Sequence, residues 1–557
     1  MRLVLLAVVL LVGSGVAAAQ QASPAADAPG ILRKTLRGTL AQVTLDDDGG
    51  EQWAIVSESD GTIQPFARGV RPPKKDKNGN DITAGAVVGL SCPTDSTGSC
   101  TYVSSSDTTL LAGGATPGAA TSKVVQRNLI INIDYASCNY SASHNESSLR
   151  TLYLGAAGDG TGGHALKFEQ CSYGGLTMNA TAFTVVTVQP NCTAAILVNC
   201  SYSGISNGAD AAAKAILGTT AFSSFTHYTY ILPPGFESIC GWSGLALLPG
   251  KQTWLQTSSY GVSRWATAMQ EGIHNYGLWH SWLGTAEYND YSTSMGRGNS
   301  CPNAPELSYM KWATPVTGGS ALNASLLPVG QAVTFNLPAT YLTGTGNFLR
   351  VVPDWIPNYL YNVYIAVRAN KIGDSALGNG YANRINVHYL NASLDNQRWN
   401  GNYTYQYKDR KITVLNTTQV NVTTDLPDYN LVVYGGSWVG TDIMRMYICR
   451  YSLSRAECPA SAAVLQATAS PPPSPSLPPS PSPPSPSPPS PSPPPPKPPS
   501  PSPPSPSPPS PSPPPPKPPS PSPPSPPPPP PPSPPKVTGG GNNKNKGRRM
   551  LRRAGQQ

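Results

Sequence analysis

The spacing of apolar positions changes repeatedly along this 557-residue chain, and each change marks a boundary. An unbroken apolar run, Leu3 to Val12, follows the lone charge of Arg2 and leads into Ala17-Ala18-Ala19. Such a run is too short to span a bilayer, so residues 1–19 read as a secretory signal peptide. Short strand-like runs come next (GTLAQVTL, EQWAIVSE, AGAVVGLSC), separated by DDDGG and KNGND turns. They predict a small β domain over 20–123, closed by the Gly/Ala/Thr-rich LAGGATPGAATSK linker. Over 124–325 two periods mix. VVQRNLIINIDY, AFTVVTVQ and THYTYILPP are strand-like, whereas ADAAAKAILG and SRWATAMQEGIHNYG repeat as helices. An α/β domain with a mixed sheet is expected there. Over 326–458 strands dominate again (AVTFNL, YNVYIAV, RINVHYL, KITVLN, YNLVVYGG, RMYICRY) and predict a β-sandwich. Residues 459–536 become almost entirely Pro and Ser, with a 20-residue repeat that sets Lys497 and Lys517 in identical PPPPKPPSPSPP surroundings. With almost nothing to bury, this segment is expected to be a polyproline II arm rising about 3.1 Å per residue. A basic, disordered tail over 537–557 completes the expected architecture.

Charge sharpens the division. The formal net charge is +9, but nine Lys or Arg and no acid lie beyond Pro459 and Arg2 sits in the leader, so residues 20–458 carry −1. The basic character belongs to the tail, which suits acidic polysaccharide, and no nucleic-acid partner is expected. After the leader no stretch approaches the roughly 20 apolar residues of a membrane helix, so no membrane span is expected. The basic end GRRMLRRAGQQ is unlike a lipid-anchor signal.

Ten cysteines, scattered and without a CxxC pair, suit up to five disulfides better than a metal cluster. Cys92 with Cys100, Cys192 with Cys200 and Cys449 with Cys458 are the plausible close pairs. Ten N-x-S/T sequons, at Asn139, Asn145, Asn179, Asn191, Asn199, Asn323, Asn391, Asn402, Asn416 and Asn421, are candidate glycan sites that should face solvent. Together with the leader they point to a secreted glycoprotein.

The chemistry concentrates in AMQEGIHNYGLWHSW, Ala268 to Trp282. On a helix, Gln270 and His274 lie one turn apart on one face and can reach a single ion. Glu271 is rotated by about 100° and can approach a water without being a ligand. Gly277 permits the turn that ends the helix and returns His280 to the same point. Three protein ligands plus water is the open geometry of a catalytic metal, and Glu271 is placed as its general base.

QEGIHNYGLWH resembles the HExxHxxGxxH helix of metzincin metallopeptidases at Glu271, His274, Gly277 and His280. Met295, fifteen residues after His280 in EYNDYSTSMG, resembles their Met-turn. Both segments are most similar to gametolysin and the related matrix metalloproteinases of green algae, some of which carry a QExxH variant. The resemblance implies a metzincin-like catalytic domain, zinc as cofactor, and cell-wall or extracellular-matrix proteins as substrates. The Pro/Ser arm likewise resembles the hydroxyproline-rich glycoproteins of such matrices. The departure is Gln270: its amide oxygen is a neutral, harder donor than imidazole, so zinc should bind less tightly and another divalent metal becomes possible.

Two readings follow. One is a secreted metalloendopeptidase; the other is an inactive metzincin scaffold serving as a structural or binding glycoprotein of the wall. A third makes the C-terminal β region a carbohydrate-binding module. Residues 20–123 are a candidate propeptide, whereas Cys92 and Cys100 are expected to pair with each other rather than to silence a metal. His164 and His227 read as packed histidines, and His144 and His388 need no role. Trp265, Met269 and Leu278 read as core, and Tyr288 and Tyr291 as candidates for a cleft wall. Arg297 stands two residues after Met295, so the metal-binding tyrosine some metzincins place there is absent. GAAGDGTGG reads as a flexible loop and DKNGND as an Asn-Gly turn.

Overall fold

The alternating runs of the N-terminal segment, met first along the chain, do fold as strands. The computed structural model describes residues 32–45, 50–113, 123–396 and 411–466. The expected signal peptide, basic tail and Asn402 lie outside the described residues, as does the expected polyproline arm beyond residue 466; the start of that arm is a short helix, Ser461–Gln466, rather than polyproline II. Strands β1 (Arg33–Leu45), β2 (Gly50–Ser57), β3 (Ile63–Pro65), β4 (Val87–Pro93) and β5 (Thr108–Ala112) form an antiparallel sheet in the order β3-β2-β1-β4-β5. Its core gathers Leu40, Trp53, Ile55, Phe66 and Val88, stapled by Cys92–Cys100.

The next region contains β6 (Val124–Gln126), β7 (Asn128–Ile133), β8 (Leu176–Met178), β9 (Thr184–Val188), β10 (His227–Leu232), β11 (Gly244–Ala246) and β12 (Gln252–Gln256). Five of them make a mixed sheet, β11-β12-β10-β7-β9, parallel except for the antiparallel edge β11; β6 and β8 pair separately. β7 is buried at every residue because the sheet is covered on both faces. Ile130, Ile231 and Leu255 face the helix Trp265–His274 through Met269 and Ile273. Leu129, Ile131 and Tyr230 face the helix Tyr202–Leu217 and also Ala41, Val43 and Ala54 of the N-terminal sheet. The GAAGDGTGG segment is a tight corner between the helices Glu146–Leu154 and Gly163–Ser172. Gly163, at φ +61°, packs so closely that a Cβ would lie 2.4 Å from the Leu152 carbonyl oxygen.

The remaining strands are β13 (Ser281–Leu283), β14 (Ala286–Glu287), β15 (Ala332–Pro338), β16 (Phe348–Val351), β17 (Tyr361–Arg368), β18 (Arg384–Asn391), β19 (Ile412–Thr418), β20 (Thr423–Leu426), β21 (Leu431–Val439) and β22 (Ile443–Arg450). They form two sheets, β14-β13-β19-β18-β17-β16 and β15-β22-β21-β20. Val363, Ile365 and Val387 of the first pack against Leu431, Val433 and Met446 of the second, so a sandwich is present. Its first sheet is buried again on the other face, where Tyr364, Ala366, Leu390 and Ile412 share a core with Met269 and Met295. β13 pairs in parallel with β19, Ser281 opposite Ile412. One sheet therefore runs across the boundary expected at 325/326.

Five disulfides are present: Cys92–Cys100, Cys138–Cys192, Cys171–Cys301, Cys200–Cys240 and Cys449–Cys458. The expected Cys192–Cys200 pair is incorrect. The helix Ala194–Asn199 lies between these two cysteines. Six helical residues rise roughly 9 Å, beyond the ~7 Å Cα separation that a disulfide spans. Among the described residues no helix is long and apolar enough to cross a membrane. None of the nine described sequon asparagines is buried; Asn139, Asn145, Asn191, Asn199, Asn416 and Asn421 are exposed and Asn179, Asn323 and Asn391 are half-buried.

Candidate metal centre

The helix Trp265–His274 is buried from Ala266 onward, and the pitch of its good helix formers brings Gln270 and His274 to one side of a cleft of about 700 Å³. Glu271 and His280 line the same cleft, as do Tyr288 and Tyr291. After the helix the chain reverses at Gly277, at φ +88°, with its N–H donating to the His274 carbonyl (2.8 Å). That left-handed residue is open to glycine at little cost. It lets Trp279 and His280 fold back, and the His274 and His280 rings meet edge to face at 4.7 Å.

Each imidazole is anchored through Nδ1. That of His274 lies 2.7 Å from the Leu278 carbonyl oxygen, and that of His280 lies 2.8 Å from Glu287 Oε1. These acceptors fix both tautomers with hydrogen on Nδ1 and leave Nε2 as the electron-pair donor toward the cleft. Burial lowers both imidazole pKa values to about 3, so both rings are neutral, the form a metal requires. Burial raises the Glu287 carboxyl above its usual range, against the opposing pull of Lys411. The Tyr288 ring packs on His280 at 4.1 Å, with its backbone at φ +63°.

Gln270 is 9% exposed, and its side chain makes no hydrogen bond to any described residue, so its amide is available to the cleft. Two neutral imidazoles and one amide oxygen on a common cleft fit a divalent cation. Among the described residues no group of three His, Cys, Asp or Glu forms such a site, because the third position here is a glutamine. Glu271 is 4% exposed and lies against the edge strand β11; a Cβ on Gly244 would fall 2.6 Å from its Oε1.

Met295 is fully buried, and its carbonyl accepts from the Ser281 N–H (2.8 Å), tying the loop beneath the cleft to β13. A buried polar network holds this loop. Asp290 accepts from the Ser281 hydroxyl (2.7 Å) and the Ser292 N–H (2.8 Å) and faces His388 Nε2 at 3.2 Å. Burial works to raise the Asp290 pKa, but the His388, Ser292 and Ser281 contacts prevail and lower it. His388, expected to need no role, is thus 1% exposed and braces the loop from β18. Thr293 donates to Glu306, whose carboxyl burial raises to about 8.

His164 and His227 stand outside the cleft lining. The first contacts the Val262 carbonyl (2.8 Å), the second Thr226 and Tyr276. Met269 and Leu278 are buried in the core, with Trp265 packed against it. DKNGND closes as a turn, its Asp76 carboxylate accepting from the N–H groups of Asn78 and Asn80. Sequence reasoning missed Glu287, Gly244 and the N-terminal contribution to the cleft. Gln42 of β1 exchanges backbone hydrogen bonds with Leu248 (3.1 and 2.8 Å), and Thr44 lines the cleft itself.

The family profile described as gametolysin peptidase M11 matches residues 127–428, just over half of the chain. Autolysin of Chlamydomonas reinhardtii is 35% identical over 115 residues, which make up 19% of this chain and 18% of autolysin. This chain therefore matches less than a fifth of that relative's length. Among solved structures, one titled "Structure of a chaperone-substrate complex" aligns over 47% of this chain and 49% of its own. At 11% identity and a TM-score of 0.21 it carries no argument about fold.

Proposed function

The chain belongs to the gametolysin M11 peptidase family, and from that premise we propose that it is a secreted metalloendopeptidase of cell-wall or extracellular-matrix proteins. The observation that carries this reading is the convergence of Gln270, Glu271, His274 and His280 on one cleft, with both imidazoles held neutral and pinned through Nδ1. Gln270, His274 and His280 would hold the metal, zinc or another divalent ion that tolerates the amide oxygen. When bound, that ion supplies Lewis acidity to the reacting carbonyl and water.

The chain's own residues do the rest. Glu271 takes a proton from the attacking water and returns one to the departing amine, a role its burial beside the β11 backbone suits. Glu287 and the Leu278 carbonyl hold the two rings in the tautomer that presents Nε2. Met295 supplies the apolar floor, as a Met-turn of a metzincin-like domain would. The contact of β1 with Leu248 and of Thr44 with the cleft supports a propeptide role for residues 20–123. Hydroxyproline-rich glycoproteins are the proposed substrates, with the Pro/Ser arm and basic tail keeping the enzyme in the wall and the tail binding its acidic polysaccharide.

A second reading, the inactive scaffold, draws on the same Gln270, since only two imidazoles reach the cleft. Purified protein decides between them. Chelator-sensitive cleavage of a hydroxyproline-rich wall protein, lost in Glu271→Ala, supports the peptidase. Inertness of the metal-loaded chain, persisting after removal of residues 20–123, leaves the scaffold.

A further inference from the structure

A second groove, of about 400 Å³, lies on the C-terminal sandwich and shares no lining residue with the metal cleft. Its walls are aromatic: Tyr359, Tyr361, Tyr389 and Tyr429, with Leu360 and Asp428 at the rim. Register builds the cluster. Tyr361 of β17 stands opposite Asn391 of β18, and Tyr389, two residues before Asn391, projects from the same face. The two tyrosine rings lie 4.7 Å apart, tilted by 60°. The turn Pro427–Tyr429 then brings Tyr429 and Asp428 alongside.

Folding alone does not account for this surface. Leu360 is 68% exposed and Tyr361 39% exposed, side by side, although each would be stabilised by burial. The phenols of Tyr361, Tyr389 and Tyr429 bond to no described residue, and that of Tyr359 accepts from Asn396 Nδ2 (3.1 Å), leaving its proton to donate outward. The groove therefore offers flat apolar walls crowned by hydroxyl donors. A polyproline II chain is the complement: its pyrrolidine rings are apolar and its backbone carbonyls are unpaired, while its prolines carry no N–H. A saccharide ring would stack on the same tyrosines with Asn358 and Asp428 as polar partners, so preference for an oligosaccharide is the outcome that opposes this reading. Charge narrows the ligand further. Asp428 is exposed at the rim, and the proline-rich repeat in this chain's own sequence, PPPPKPPSPSPP, places a lysine among the prolines.

We propose that this groove binds a proline-rich, lysine-bearing segment of another polypeptide in the polyproline II conformation, its rings between the tyrosines and its lysine toward Asp428. The site is distinct from the cleft, and its occupancy does not depend on whether the cleft hydrolyses peptides.

The test is fluorescence anisotropy of labelled PPPPKPPSPSPP peptide titrated with the full-length protein and with a chain ending at Ser476, which lacks its own two copies of that sequence, both enzymatically deglycosylated because the Asn391 sequon faces Tyr361. Saturable binding is expected, weakened about tenfold by Tyr361→Ala, the loss expected for one aromatic wall. Leu360→Ala, at an exposed position outside the strands, should weaken it as well with no burden on folding. Replacing the peptide lysine by serine should weaken binding about two- to threefold, and Asp428→Asn should erase that difference, as for an exposed ion pair. Cleavage of a short proline-free peptide should be unchanged in Tyr361→Ala, which separates failure of this site from failure of the peptidase reading. Absence of saturable binding, equal affinity in Tyr361→Ala, or preference for a neutral oligosaccharide over the peptide would overturn the proposal.

Discussion

Removing the Glu287 carboxylate should loosen the metal without touching any residue proposed to hold it. Glu287 sits on the two-residue strand β14 and accepts from His280 Nδ1 at 2.8 Å, with 18% of its side chain exposed and the His280 side chain 3% exposed. A hydrogen bond to a charged acceptor in such a place contributes about 1.5–3 kcal/mol. Loss of an outer partner of a metal-binding histidine typically weakens metal affinity by about 10–100-fold, which at 1.4 kcal/mol per decade is about 1.4–2.8 kcal/mol. The two routes agree, so Glu287→Ala is expected to weaken zinc binding by one to two decades. Glu287→Gln, which keeps an acceptor without the charge, should fall between it and wild type. Competition against a chromophoric chelator at pH 7.5 measures this directly, and circular dichroism checks that the fold is intact. If Glu287→Ala binds metal as tightly as wild type, His280 is not a ligand through Nε2, and the site as drawn here is wrong.

Other expectations rest on separate features. Glu271→Ala should cut peptide hydrolysis by about 10²–10⁴ while leaving metal content unchanged, measured by mass spectrometry of the bound metal alongside turnover. Gln270→His should tighten zinc binding; unchanged affinity would remove Gln270 from the ligand set. Gly244→Ala places a methyl 2.6 Å from Glu271 Oε1 and should lower kcat with metal binding preserved. Glu306 has a folded pKa raised by burial to about 8 from an ordinary 4.5. The unfolded chain thus releases that proton first, and folding stability should fall as pH rises from 4.5 to 8, a slope that Glu306→Gln should flatten in urea titrations.

Local period made most strands and the motif helix legible, because each buries a face that repeats every two or 3.6 residues. What stayed hidden was pairing across distance. Nothing in the residues Ser281 to Leu283 announces that β13 will take a parallel place beside β19, some 130 positions later, since three residues carry no period. Yet that pairing joins the motif segment to the sandwich. It also explains why YNVYIAV reads as a nearly unbroken apolar run: its strand is covered on one face by the sandwich core and on the other by the helical layer. Of the close cysteine pairs, Cys92–Cys100 and Cys449–Cys458 form as expected, and Cys192–Cys200 does not, nearness along the chain there having been read as nearness in space.

The site divides along the same line. Gln270, Glu271 and His274 were legible because one helix fixes their relation, and His280 because Gly277 marks a left-handed turn that other residues resist and that ends the helix. Glu287, by contrast, was in plain view within EYNDYSTSMG, but no periodicity relates a carboxylate on a two-residue strand to a ring seven residues earlier. Its partnership with His280 exists only because β13 and β14 form a hairpin, with Trp282 opposite Glu287, that brings it back to the ring. This bears on the missing histidine. Affinity at a metal site depends on the donors and on how rigidly they are held, and here both remaining imidazoles are buried, neutral and anchored by an oxygen at 2.7–2.8 Å. In the proposed site a neutral amide at position 270 would weaken one arm, while the other two are pre-set. Restoring histidine there should therefore gain less affinity than removing Glu287 loses, an ordering that a loosely held site would reverse.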